Sequence, residues 1–191
     1  MKKVLFFSVF VCLTALSVFA QDKKAPDFSG SWTLDAGKSK LGERARIESM
    51  TLTVAQSDKD IKIETATKRL PPPEGALQGD GQGGGQGGGM RRGGGGFGGG
   101  DGTTTYSLDG KETTTEAESR MGKSLIKSKA EFDGGKLKLS SSRTFNTQMG
   151  EVTMTTRETW TLSDDGKTLT VKRETESPRG TNSSEMVFTK K

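Results

Sequence analysis

From Glu48 onward, apolar and polar residues alternate with a period of two, and each run stops at a turn signal, the pattern of half-buried strands joined as hairpins. Met50, Leu52 and Val54 alternate with Thr51, Thr53 and Ala55, and after Ser57-Asp58-Lys59-Asp60 the pattern resumes at Ile61 and Ile63. A second hairpin carries Ile126, Ser128, Ala130 and Phe132 on one face and turns at Asp133-Gly134-Gly135 into Leu137, Leu139, Ser141, Arg143 and Phe145. A third sets Val152, Met154, Thr156, Glu158, Trp160 and Leu162 across Asp164-Asp165-Gly166-Lys167 from Leu169, Val171 and Arg173. A last strand after Pro178-Arg179-Gly180 carries Ser184, Met186 and Phe188, and short runs at Thr103 to Leu108 and Lys111 to Glu116 flank Asp109-Gly110, a favoured hairpin turn.

With a strand around Trp32, the pattern predicts an all-β protein: one antiparallel up-and-down meander of about eight to ten strands without an amphipathic helix. Each strand has one apolar face and one face of Thr, Lys, Glu and Ser, so a single sheet wrapped around its own core fits the pattern. Closure into a barrel removes the sheet edges altogether; an unclosed, strongly curved sheet is the alternative. Symmetric closure of the Asp164 to Lys167 turn places Leu162 opposite Leu169, Trp160 opposite Val171 and Glu158 opposite Arg173, and the preceding turn brings Leu139 opposite Glu158. The inward face is then apolar near this turn, while its other end carries Arg143, Glu158, Arg173 and Ser184. Two readings follow: Glu158 and Arg173 form an ion pair at a barrel mouth, or Arg143 and Arg173 present cationic donors to an anionic ligand head group.

Before the strands, Lys2 and Lys3 precede an apolar run from Val4 to Val18 and the small-residue exit Val18-Phe19-Ala20, the layout of a cleavable export signal over residues 1–20. The expected mature chain is residues 21–191, one domain located in the periplasm or outside the cell. The apolar run is short for a bilayer-spanning helix, and no second one follows. Losing the signal also removes Cys12, the only cysteine, from a chain without histidine. Thiol and imidazole chemistry, disulfides and the usual zinc and copper ligand sets are thereby excluded. Carboxylate chemistry, a Ser-Lys pair or oxygen ligation of hard cations remain. No catalytic constellation is recognisable; the expectation is a binder without cofactor or metal. Enzyme chemistry would need Glu158 free of Arg173 and beside an empty cleft.

Residues 71–102 interrupt the strand pattern. Pro71-Pro72-Pro73 leads into a tract from Gly75 to Gly102 that holds 17 of the chain's 27 glycines. Such a segment has no apolar area to offset its ordering entropy and is expected to form a disordered loop, read as a tolerated low-complexity insertion, with a weak surface or cell-envelope contact as the alternative. Met90-Arg91-Arg92-Gly93-Gly94 is similar to an RGG element, but an exported chain with mature charges near balance gives no reason to expect nucleic acid. Gly79 to Gly84 and Gly122-Lys123-Ser124 lack the strand, glycine and helix context of nucleotide loops.

The segment Phe28-Ser29-Gly30-Ser31-Trp32-Thr33-Leu34-Asp35-Ala36-Gly37-Lys38-Ser39-Lys40 resembles the opening of lipocalin-like secreted bacterial β-barrels of uncharacterised function, and Asp164 to Val171 is similar again. The resemblance covers the two ends of the mature chain. It implies that Gly30 and Trp32 lie in the first strand with Trp32 closing one end of the core, that Arg173 is a candidate to pack on Trp32, and that a small, often apolar ligand sits inside. The expected lining is Ile126, Leu139, Arg143, Phe145, Met154, Glu158, Trp160 and Arg173. The functional expectation is a non-catalytic barrel that takes a small hydrophobic or amphiphilic molecule; a filled barrel serving as an envelope structural or adaptor protein, with the glycine tract as tether, is the alternative.

Overall fold

The computed structural model describes residues 25–42, 45–71, 101–119, 122–147 and 150–191, with backbone alone at 117–119, 122, 123 and 145–147. The signal and most of the glycine-rich segment lie outside the described residues. The strands are β1 (Gly30–Leu34), β2 (Ile47–Gln56), β3 (Asp60–Arg69), β4 (Gly102–Ser107), β5 (Thr113–Ser119), β6 (Gly122–Asp133), β7 (Lys136–Thr147), β8 (Gly150–Leu162), β9 (Thr168–Ser177) and β10 (Gly180–Lys190). They form one antiparallel sheet in the order β4-β3-β2-β1-β10-β9-β8-β7-β6-β5. The expected inner face is the buried one: Met50, Leu52 and Val54 of β2, Ile61 and Ile63 of β3, Leu169 and Val171 of β9, and Met186 and Phe188 of β10.

The first and last strands pair, with Trp32 opposite Lys190 and Leu34 opposite Phe188. That seam is interrupted by Asp35 to Ser39 and resumes where Lys40 pairs with Glu185. Ser39 holds the break: its hydroxyl donates to the Asp35 carbonyl at 2.7 Å and accepts from the Val187 amide at 2.9 Å. The Val187 amide thereby finds an acceptor where the ladder breaks, and the Asp35 carbonyl, which also accepts from the Lys38 amide at 3.2 Å, gains a second donor.

The barrel is nearly closed, and its remaining gap contradicts one expectation. Asp109-Gly110 does turn the chain: Asp109 Oδ1 accepts from the Lys111 amide at 2.9 Å and the Ser107 hydroxyl at 3.0 Å, and Gly110 has φ 75°. The flanking strands do not form a hairpin. β4 pairs with β3 and β5 with β6, so the two are the edges of the sheet, and β4 comes beside β6. Buried Tyr106 of β4 reaches inward to hydrogen-bond Ser141 of β7, a side-chain tie where the ladder is missing.

One end of the barrel is packed shut. Phe28, fully buried ahead of β1, sets its ring 6.0 Å from Trp160 edge-on and 6.5 Å from Phe132. Gln56 fastens this plug, accepting from the Phe28 amide at 3.0 Å and donating to the Pro26 carbonyl at 3.0 Å. Trp32 lies in the same core and donates its indole N–H to the Phe28 carbonyl at 2.9 Å. The cation over its ring is Lys190, with Nζ 5.1 Å from the centroid. Arg173, the expected partner, is bonded to Glu158 instead. Gly30 makes room for this lysine: at φ 133°, a Cβ there would stand 2.7 Å from Lys190 Cε.

Candidate functional site

The registers stack the inward residues of β5 to β10 in rows. Nearest the open end, Ile126, Arg143 and Met154 are successive cross-strand partners, all half-buried. The next row is a belt of hydroxyls on five neighbouring strands: Thr113, Ser128, Ser141, Thr156 and Thr175. Below it lie Ala130, Leu139, Glu158, Arg173 and Ser184, and then the apolar floor of Phe132, Leu137, Trp160, Val171 and Met186. The inner face therefore passes from cationic through hydroxylic to apolar along the strands, because every second residue points inward.

The belt is satisfied from within. Thr113 bonds Ser128 at 3.0 Å, Thr156 meets Thr175 at 3.3 Å, and Ser141 pairs with Tyr106. Ser128, Ser141 and Thr156 are buried, and each of these three hydroxyls has an internal partner, as desolvation demands. Burial raises the Tyr106 phenol above its ordinary pKa, and the negative charge of Glu158 raises it further; the Ser141 hydrogen bond and Arg173 act against this.

Of the two readings of the mouth, the ion pair forms. Arg173 Nε donates to Glu158 Oε1 at 2.7 Å, with side chains 20 % and 13 % exposed. Glu158 Oε2 accepts from the Trp160 indole at 2.7 Å. Both carboxylate oxygens are thus engaged, and Glu158 is not the free carboxylate that acid-base chemistry there would require. Arg143 differs: its Nε donates to the Ser124 hydroxyl at 3.0 Å, and among the described residues no carboxylate pairs with it.

The expected lining residues separate into groups. Glu158, Trp160 and Arg173 border a small, partly open cavity of about 30 Å³, together with Thr65, Thr104 and Tyr106. Ile126, Arg143 and Met154 form the open-end row. Leu139 is a core residue, 2 % exposed, and does not border that cavity. Phe145 continues β7 opposite Val152, and its side chain lies outside the described residues. Sequence reasoning missed Tyr106 and Phe28; the chain's one tyrosine, at an inward position of a short strand, was the available signal for the first. A wider open groove of about 490 Å³ is bordered by Lys40, Arg157, Lys172, Glu174 and Glu185, with ion pairs Arg157–Glu176 at 3.0 Å and Lys172–Glu185 at 3.6 Å, and also by Arg173 and Ser184 of the inner rows.

No protein-family profile and no curated protein matches the chain. Among solved structures, zebrafish ileal bile acid-binding protein, in complex with cholic acid, is similar at 16 % sequence identity and a TM-score of 0.47, over 86 % of this chain and 98 % of that one.

Proposed function

We propose that the protein is an exported, non-catalytic barrel that binds a small amphiphilic anion in its polar, open half, with the head group on Arg143 and the apolar body over Ile126 and Met154. The observation that carries this reading is the state of Arg143: inward, half-buried, and bonded to a neutral hydroxyl. Arg173 is balanced by Glu158, so the two guanidinium groups and one carboxylate of the inner rows leave a net positive charge at the mouth. A carboxylate, sulfate or phosphate head group forms charge-assisted hydrogen bonds with such an arginine. Calorimetric titration with dodecanoate tests the reading. Binding is expected, weakened about tenfold or more in Arg143→Met, with no binding of dodecyltrimethylammonium. Absence of dodecanoate binding, or equal affinity in the variant, overturns it.

The size of the interior cavity favours a second reading. Small-molecule sites usually enclose several hundred Å³, whereas this cavity has about 30 Å³. A barrel filled by its own side chains suits a structural or adaptor role in the cell envelope, with the glycine-rich segment as tether. On this reading no amphiphile binds, and deleting residues 75–102 releases the folded protein from envelope fractions.

A further inference from the structure

We propose that the cavity beside Arg173 is a hydroxyl site, occupied by water in the free protein and by a ligand hydroxyl in the complex. Its volume of about 30 Å³ is enough to admit water, and an ordered internal water needs two to four polar partners. Beside apolar residues such as Leu52 and Phe188, its wall includes five residues that carry polar groups: Thr65, Thr104, Tyr106, Glu158 and Arg173. Arg173 spends Nε on Glu158, and among the described residues its Nη groups donate to nothing. The Thr65 and Thr104 hydroxyls also lack partners among the described residues. Each oxygen of Glu158 accepts one bond and keeps further lone-pair capacity.

This wall selects against other occupants. An anion faces the Glu158 carboxylate, a cation faces Arg173, and a methyl group offers the guanidinium donors no acceptor. A neutral group that both donates and accepts satisfies both charged neighbours, which describes water or an alcohol. The ligand half of this inference rests on the head group binding Arg143. Met154, the cross-strand partner of Arg143, and Glu158 are four residues apart on β8, about 13 Å along the strand. The ligand class is therefore an amphiphile with an anionic head at one end and a hydroxyl roughly that far away, of which 12-hydroxydodecanoate is a simple example.

Oxygen-17 relaxation dispersion on the free protein is expected to detect a long-lived internal water that disappears in Thr65→Val/Thr104→Val; absence of such a water, or its persistence in the variant, overturns the site. By calorimetry, 12-hydroxydodecanoate is expected to bind about tenfold tighter than dodecanoate. The double variant, with folding checked by near-ultraviolet circular dichroism, should lose that preference while keeping its dodecanoate affinity. Equal affinity of the two acids in the wild type overturns the ligand hydroxyl and leaves the Arg143 reading standing. Failure of both acids to bind overturns the amphiphile reading, and the water measurement then decides the cavity alone.

Discussion

Glu158 holds the interior polar groups together, because one carboxylate serves a guanidinium on the next strand and an indole two residues along its own. Its loss leaves Arg173 and the Trp160 N–H without their acceptor in a largely buried setting, and orphaned buried groups cost more than the bonds they once made. Glu158→Ala is therefore expected to lower stability by about 2–3 kcal/mol in urea denaturation, and Glu158→Met/Arg173→Met to recover part of that loss. A change below about 0.5 kcal/mol in the single variant would show that solvent already screens the pair. This contact was legible in the sequence because a symmetric turn fixes register, and register alone sets Glu158 opposite Arg173. The Tyr106–Ser141 bond was not legible, since its partners lie on strands that share no ladder.

Local turn chemistry predicted elements better than it predicted their neighbours. The hairpins around Asp133 and Asp164 formed as the alternation required. Asp109-Gly110 carries an equally strong signal, yet it joins the two edges of the sheet. A turn dipeptide specifies a reversal and leaves open which strands the flanking segments join; here β4 pairs with β3 and β5 with β6, each on one side only. The inward tie of Tyr106 further anchors β4 across the interior. Each edge strand has one ladder, whereas β9 has two, so protection from exchange should differ. Native-state hydrogen exchange is expected to show faster exchange in β4 and β5 than in β9 and β10; protection in β5 equal to that in β9 would indicate a closed β4–β5 seam in solution.

Across the whole molecule, the two segments that carried the sequence resemblance meet at the packed end. Phe188 stands between Leu34 and Leu169, and the Lys190 amide donates to the Lys167 carbonyl at 2.9 Å. These segments specify how the barrel shuts, so they reveal the container while leaving the polar mouth unspecified. The distribution of titratable groups also sets a pH window. Asp35, Asp109, Asp133, Asp165 and Glu131 have folded pKa values below their ordinary 3.8 to 4.5: side-chain bonds from Lys38 to Asp35, Lys138 to Asp133, Ser163 to Asp165 and Lys129 to Glu131, and the Lys111 amide on Asp109, favour the charged forms. A lowered folded pKa contributes stability above the ordinary value, and that stability is lost as pH falls through the folded values. Tyr106 acts in the opposite sense: its pKa is raised from 10.0, so its contribution is complete below that pH and fades as the solution becomes more alkaline. Because the chain has no histidine, no side chain of that type adds a transition between these limits. The urea midpoint is accordingly expected to stay level from about pH 5.5 to 8.5 and to fall below about pH 4 and above about pH 10. Tyr106→Phe should blunt the alkaline fall while leaving the acid limb in place; an alkaline limb unchanged in that variant would assign it to other groups.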